Sequence, residues 1–175
     1  MLGLKRGIVE LCPHEKEWEA TADKTIRFLK DTFGNKAADI QHVGSTSIRT
    51  ICAKPIIDIA VLARDFDWFI RQKDVLMEYG LNYRGEDVAN EILYVMGQDN
   101  IRTHHIHVCR PGSAEWADYI RFRDYLNANP LAAREYEGLK KRLSQEYKYN
   151  REAYTLGKET LIKKLLTEAK EWEKQ

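Results

Sequence analysis

The sequence predicts an α/β (α+β) fold in which a small mixed β-sheet is flanked by helices and followed by a C-terminal helical subregion. Two observations support this fold class. The apolar, β-branched run at residues 55–63 is typical of a strand covered on both faces, and an amphipathic helical pattern lies on either side of it. The last third of the chain then carries three more helical patterns. We expect a single domain over residues 1–175, with a sheet-containing core at about 1–112 and helices at 113–175.

The first elements are predicted from apolar runs and helix boundaries. Residues 7–12 form a short apolar run, and a helix is expected from Pro13 to a stop at Gly34. Residues 38–43 are predicted to form a strand that leads into a turn of small residues at 44–47.

The middle of the chain is expected to hold one more helix and two more strands. Asp65 can cap a helix that closes at Gly80, because aspartate accepts hydrogen bonds from free backbone N–H groups of a first turn. Strands are predicted at residues 92–96 and 101–109, with a turn-like stretch at 97–100 between them.

Three helices are predicted in the C-terminal subregion from their capping residues. Ser113 can cap the first, Asn129-Pro130 opens the second, and Asn150 can cap the third. The aromatic residues of these helices follow the apolar stripes, so we expect them to belong to the core.

Composition and charge narrow the class of protein. The 28 basic and 27 acidic residues give a net charge of +1, so we expect no general attraction to nucleic acid or anionic lipid. The three cysteines show no CxxC spacing and predict neither a disulfide framework nor a cysteine-based zinc site. The first residues lack the apolar region of a signal peptide, and the longest apolar stretch is too short to span a bilayer. These features predict a cytoplasmic protein without a membrane segment.

Most of the functional information lies in the segment HVGSTSIRTICAKPIID, residues 42–58. A Gly-Ser pair directly after a strand exposes N–H groups and hydroxyls that can cradle phosphate oxygens, although such a turn can equally serve only to cap a helix. Asp58 lies in an otherwise apolar strand, where an ionised carboxylate needs a metal or a cationic partner such as Lys54. The residues alone leave both interpretations open.

Two histidines are candidates for a metal site with Asp58. His105 and His107 are two residues apart in a predicted strand, so their imidazoles share one face and can chelate a divalent metal. On a strand beside Asp58 they would form a two-histidine, one-carboxylate set; the alternative is neutral hydrogen bonding at a polar cleft. His104 points to the other face and is expected to be structural. The alternating histidines also resemble those of histidine-triad hydrolases, but the third position is Cys109 and the surrounding chain differs.

Several blocks of the sequence closely resemble the GrpB family, in the same order. They are HVGSTSI, AKPIIDI, HHIHV, FRDYL and a late Tyr-x-x-x-Lys that ends at Lys158. That family is similar to a divergent branch of the nucleotidyltransferase superfamily, whose pattern is a Gly-Ser turn and two metal-binding carboxylates at alternate positions of a strand. The resemblance implies a nucleotidyltransferase-like fold, with Gly44 and Ser45 in the turn and Asp58 as the first carboxylate.

The chain departs from this pattern at two places. Ala60 stands where the second carboxylate would fall, and Arg49-Thr50 replaces the Pro-Gly that GrpB sequences usually carry after the GSTSI block. Because two-metal chemistry requires several anionic ligands, Asp58 alone cannot hold two ions. The resemblance therefore implies a nucleotidyltransferase-like protein and leaves its catalytic activity open.

Two functions from different classes fit these residues. In the first, a divalent ion (Mg²⁺ or Mn²⁺, or else Zn²⁺) on Asp58, His105 and His107 assists transfer to or from a nucleotide or phosphorylated small molecule. Asp58 and Lys54 would then be the catalytic residues. In the second, the protein is a regulatory module whose pocket binds such a ligand without turnover. The missing carboxylate at Ala60 favours this second function. The residues expected to contact phosphate or nucleotide in either case are His42, Gly44, Ser45, Thr46, Ser47, Arg102, Arg123 and Lys158.

Overall fold

A five-stranded mixed sheet forms the centre of the fold. The computed structural model describes residues 2–174. The strands of the sheet are β2 (Ala37–Val43), β3 (Ile57–Ala63), β4 (Asn82–Val88), β5 (Glu91–Met96) and β7 (His104–Cys109). Their spatial order is β2-β3-β7-β5-β4, with β3 and β7 parallel and the other neighbouring pairs antiparallel. A separate two-stranded ribbon joins β1 (Leu4–Lys5) to β6 (Ile101–Arg102).

One face of the sheet packs against α1 (Glu17–Phe33), α2 (Phe66–Arg71) and α3 (Lys73–Glu78). Alternation along the strands places Ile57, Ile59 and Val61 of β3 on this face, together with apolar residues of β7 and helix side chains. Burial of each such aliphatic side chain contributes about 1.5–3 kcal/mol relative to exposure. This core holds β3 and β7 in register, and the residues between the buried ones point to the opposite face.

The C-terminal helices lie towards that opposite face. They are α4 (Ala114–Ala128), α5 (Pro130–Glu146), α6 (Arg151–Leu156) and α7 (Glu159–Trp172). A second apolar cluster joins Ile48 and Ile51, just after the Gly-Ser turn, to Leu126, Tyr136 and Leu165 of three of these helices. The helical region is therefore anchored on the segment that connects β2 to β3. Within residues 2–174, none of the helices has the length and apolar character required to cross a membrane.

The predicted fold class is confirmed, but the N-terminal elements differ from the prediction. In the apolar run at 7–12, Cys12 makes an isolated bridge with Ala53. Val9 instead packs in a small cluster with Leu143 and Tyr154, so the run covers the helical region rather than pairing in the sheet. The first helix begins at Glu17, later than the expected start at Pro13.

Several predicted elements are split. The helix after Asp65 breaks at Gln72 into α2 and α3, although Asp65 does cap it and accepts from the backbone N–H of Trp68 at 3.0 Å. The strand predicted at 101–109 divides at Thr103, since β6 pairs with β1 while β7 pairs with β3. The last helix divides into α6 and α7 around Gly157.

The edge strand β4 was not predicted. Its sequence, NYRGEDV, is polar and contains a glycine, and its pairing with β5 shows register shifts on both sides of Gly85. Such an edge strand has little of the β-branched, alternating pattern by which a strand is recognised.

Candidate functional site

The Gly-Ser turn and Asp58 meet at the end of two neighbouring strands. Val43, the last residue of β2, pairs with Asp58 in β3, so the turn begins directly beside the carboxylate. Gly44 has φ 69° and ψ −169°, a conformation that side-chain-bearing residues rarely adopt. A β-carbon on Gly44 would lie 2.8 Å from the β-carbon of Asp58. Glycine is therefore required where the chain passes over this aspartate.

The parallel register of β3 and β7 brings Asp58 together with the two candidate histidines. Asp58 pairs with His105, and Ala60 pairs with His107. His105 Nδ1 donates to Asp58 Oδ1 at 2.9 Å, and His107 Nε2 lies 3.5 Å from the same oxygen. One ligand atom from each of the three residues falls within 4.8 Å of the others. Imidazoles with a carboxylate suit zinc, iron, nickel or manganese better than magnesium, so the donor set fits a transition-metal ion.

The charges of this triad follow from its burial and its hydrogen bonds. Burial would raise the pKa of Asp58, but hydrogen bonds from His105 and His107 hold it well below its usual range. Burial would lower the pKa of His107, yet its hydrogen bonds to Asp58 and Glu91 raise it to about 10. For His105, burial outweighs the nearby carboxylate and lowers the pKa. Near neutral pH the metal-free triad thus contains an ionised Asp58, a charged His107 and a neutral His105.

Glu91 and Tyr119 contact the far side of His107. Glu91 Oε1 accepts from His107 Nδ1 at 2.7 Å, while the Tyr119 hydroxyl donates to Glu91 Oε2 at 2.9 Å. Glu91 is only 5% exposed. The sequence analysis identified neither residue. Glu91 is nevertheless an acidic residue in an otherwise apolar strand, EILYVM, and this is the pattern that singled out Asp58.

Three cationic side chains line the same site as Asp58. Arg151, the first residue of α6, donates from Nη2 to His105 Nε2 at 3.2 Å. The ammonium groups of Lys54 and Lys158 lie 5.2 and 4.6 Å from the centre of the Tyr154 ring. Burial, reinforced by the neighbouring cations, lowers the pKa of Lys54 to about 7; burial lowers that of Lys158 to about 8. Crowded cations of this kind favour an anionic ligand.

Except for Glu91, all of these groups line one cavity of about 300 Å³ over Asp58, hereafter the polar cavity. Ser45 also lines it, whereas Ala60 does not. A second cavity of about 320 Å³ adjoins it and is called the apolar cavity because most of its surface is apolar, including Ile162 and Leu166. The acidic residues Glu91, Glu115 and Asp118 also line it. The two cavities share Gly44, Tyr119, Phe122 and Tyr136. A ligand with an anionic and an apolar part therefore has adjoining places for both.

The other residues of the turn hold it together internally. Ser47 Oγ donates to the carbonyl oxygen of Gly44 at 2.7 Å. His42 Nε2 lies 2.9 Å from the hydroxyl oxygen of the fully buried Thr46, and burial lowers the pKa of His42 to about 4. These three residues are absent from the lining of the polar cavity, so the structure gives them a role in shaping the turn.

Two arginines expected to contact phosphate also lie elsewhere. Arg123 donates from Nη1 to Gln41 Oε1 and to the His42 carbonyl oxygen, both at 3.0 Å, and so braces β2 from α4. Arg102 lies in the β1–β6 ribbon and lines a separate cavity together with Arg6. Arg151 is the arginine that lines the polar cavity, where Arg102 and Arg123 were expected. In the sequence it is marked only by its position directly after the helix-capping Asn150.

The Arg49-Thr50 pair lies on the surface. Arg49 Nε donates to Glu19 Oε1 at 2.8 Å, and its side chain is 74% exposed. Its backbone N–H contacts Asn127 of α4 at 3.3 Å. The departure from the usual Pro-Gly therefore alters the outside of the β2–β3 connection rather than the polar cavity.

A mixed sheet with a Gly-Ser turn after one strand and a carboxylate on the next defines the nucleotidyltransferase-like class of α/β folds. One solved structure with this fold is terminal uridylyl transferase 4 from Trypanosoma brucei with bound dUTP. It aligns with a TM-score of 0.50 and 15% identity, over 76% of this chain and 46% of that one. At this identity the likeness shows the fold alone.

The chain belongs to the GrpB family, since the family described as GrpB protein matches residues 8–168. The glutamate-rich protein GrpB of Alkalihalophilus pseudofirmus is 36% identical to it, over 96% of this chain and 99% of the relative. The crystal structure of the conserved protein GrpB from Enterococcus faecalis aligns with a TM-score of 0.87 and 27% identity, over 95% of this chain and 100% of that one.

Proposed function

We propose that the protein binds a nucleotide or another phosphorylated small molecule in the polar cavity, with a divalent ion, and takes part in transfer at its phosphate. One observation carries the proposal: the cations Lys54, Arg151 and Lys158 line the same cavity of about 300 Å³ as the Asp58–His105–His107 triad. A metal-ligand set and a set of phosphate-binding cations in one cavity are what a metal–phosphate complex requires.

Each group has a defined part in this proposal. Asp58, His105 and His107 would hold the ion, which supplies Lewis-acid polarisation of a phosphoryl oxygen. Arg151 and Lys158 would orient the phosphate and neutralise its charge, and Lys54 would stabilise the charge that develops on a leaving oxygen. The apolar cavity receives the organic part of the ligand against Tyr119, an aromatic ring that both cavities share.

A second function, binding without turnover, is favoured by Ala60. This residue is fully buried and offers no ligand where a second strand carboxylate would bind a further ion. One carboxylate and two imidazoles suffice for one ion, and a one-ion site can serve a sensor as well as an enzyme. Ligand binding is common to both functions, and product formation separates them.

The test is thermal unfolding of the wild type and Asp58→Asn with ATP, GTP, CTP, UTP and pyrophosphate, each with and without Mg²⁺, Mn²⁺ or Zn²⁺. A ligand present at a hundred times its dissociation constant stabilises the folded state by about 2.7 kcal/mol. For a domain of this size that corresponds to a rise in Tm of roughly 5–10 °C. We expect a metal-dependent rise for the wild type and none for Asp58→Asn.

The matched control is Asp31→Asn, the same substitution at an exposed position of α1, which should respond to ligands as the wild type does. Failure of all ligands and metals to shift the wild-type transition would refute the proposal. If one nucleotide binds, incubation with its α-³²P form and candidate acceptors separates the two functions. Label transfer supports the transferase, and binding without transfer supports the regulatory module.

A further inference from the structure

We propose that Glu91 and Tyr119 position His107 for metal binding, with Glu91 of β5 acting as a supporting carboxylate behind the imidazole. The inference rests on the metal site of the proposed function and adds two residues that act through His107. It assigns them a positioning role, because neither is among the three candidate ligands.

The geometry around the His107 ring supports this assignment. One ring nitrogen, Nε2, lies 3.5 Å from Asp58 Oδ1, whereas the other, Nδ1, lies 2.7 Å from Glu91 Oε1. A histidine that binds a metal through one nitrogen usually donates its other N–H to a carboxylate, which fixes the ring and makes it a stronger ligand. Glu91 has the distance and the chemistry for this part.

Tyr119 fixes the carboxylate itself. Its hydroxyl donates to Glu91 Oε2 at 2.9 Å and lies 3.0 Å from His107 Nδ1. Both Glu91 oxygens are therefore engaged, one by the imidazole and one by the phenol. A buried carboxylate held at both oxygens has little freedom to rotate, so it can transmit its orientation to the ring.

The neighbouring strand leaves the space that this arrangement needs. Ala60 is the β3 partner of His107 in the parallel ladder, and its side chain is a single methyl group. A longer acidic side chain at position 60 would occupy the face on which the imidazole lies. The small residue at position 60 leaves room for the His107 ring, and the acid at position 91 contacts that ring from behind.

The two histidines of the triad are not equivalent in this respect. His105 has the cationic Arg151 at its outer nitrogen, Nε2, at 3.2 Å. A guanidinium cannot accept a hydrogen bond and gives the ring no anionic support. The prediction is therefore specific to His107 and to its two partners.

The experiment is titration of the full chain with Co²⁺ alone, followed through the visible d–d absorption that reports the ligands and geometry of the ion. The variants are Glu91→Gln and Tyr119→Phe, and Glu86→Gln is the control, since Glu86 is an exposed glutamate of the neighbouring strand β4. Loss of such a supporting carboxylate typically weakens metal binding 10- to 100-fold. We expect this loss for Glu91→Gln, a smaller loss for Tyr119→Phe, and altered spectra of the bound ion in both.

Each result decides between a positioning and a merely structural role. Unchanged Co²⁺ affinity and spectrum in the folded Glu91→Gln protein would overturn the inference, even if its Tm fell. If Glu91→Gln does not fold, Tyr119→Phe decides by the same criterion. No Co²⁺ binding by the wild type would remove the metal site of the proposed function and this inference with it, whereas wild-type binding with indifferent variants would overturn the inference alone.

Discussion

Gly44 lies so close to Asp58 that a β-carbon on the glycine would fall 2.8 Å from the β-carbon of the aspartate. The turn that follows β2 and the carboxylate of β3 therefore form one unit, in which the backbone covers one side of the Asp58 side chain. The glycine of the Gly-Ser pair is thus explained by contact with Asp58, in addition to any contact with phosphate.

Gly44→Ala is expected to destabilise the protein and to displace Asp58. The backbone at φ 69° and ψ −169° is accessible essentially to glycine alone, and such strain costs of the order of 1–3 kcal/mol before the clash with Asp58 is added. We expect a loss of about 3 kcal/mol or more in the free energy of unfolding, measured with urea, and loss of Co²⁺ binding in the fraction that folds.

Gly80→Ala is the control for backbone strain without a clash. Gly80 has φ +82°, and a β-carbon there would meet no heavy atom within 4 Å. It should cost only about 1 kcal/mol. Equal losses for the two variants would show that contact between Gly44 and Asp58 does not matter.

Convergence of Asp58, His105 and His107 could be predicted from the sequence because it depends on alternation along strands. Asp58 is an acid in an apolar strand, and the two histidines are two residues apart, so the sequence of each strand indicates which of its faces is polar. The strand order that makes β3 and β7 neighbours was only assumed, and the structure shows it. Local patterns predicted the α/β class, and the family resemblance implied the nucleotidyltransferase-like fold within that class.

Arg151 and Tyr154 could not be predicted as part of the site, because α6 reaches Asp58 only through tertiary packing. The local sequence identifies Asn150 as a helix cap, but it does not show which part of the molecule the helix packs against. Conversely, Arg123 belongs to a block shared with the family, yet it braces β2 instead of facing the cavity. Charge at a recognisable position does not reveal the direction in which a long side chain points.

His42 is expected to make the protein less stable in mild acid. Burial lowers its folded-state pKa to about 4, below the unfolded value near 6.5, so the unfolded chain binds more protons between these pH values. The free energy of unfolding should therefore fall as the pH drops from about 6.5 to about 4, by about 1.4 kcal/mol per pH unit from this residue. Above pH 6.5 its contribution is constant.

Urea unfolding of the wild type and His42→Asn at several pH values checks this prediction. Other groups titrate in the same range, so the relevant quantity is the difference between the two proteins. That difference should change by roughly 3 kcal/mol across the window, with the wild type losing more stability in acid. A constant difference would contradict the assigned pKa shift.

Arg151→Gln is expected to weaken anion binding to the polar cavity. The guanidinium can form charge-assisted hydrogen bonds with phosphate oxygens, worth about 1.5–3 kcal/mol, which corresponds to roughly a tenfold or greater rise in Kd for pyrophosphate. Calorimetric titration gives the measurement. Arg142→Gln is the control, since Arg142 is an exposed arginine of α5, and an equal rise in Kd for both variants would indicate only a general effect of net charge.

Anion binding should be accompanied by proton uptake, because Lys54 and Lys158 are only partly protonated in the empty cavity. Their pKa values of about 7 and about 8 both rise when an anion replaces repulsion between cations with attraction. At pH 7.5 complete protonation of both would take up about one proton per anion bound.

Sulfate is a suitable probe, since it does not change its own protonation near neutral pH. Calorimetry in buffers of different ionisation enthalpy measures the uptake. Lys54→Met should reduce it to well below half a proton, whereas Lys141→Met, at an exposed position of α5, should leave it unchanged. Sulfate binding with no proton uptake by the wild type would show that the two lysines do not hold the anion.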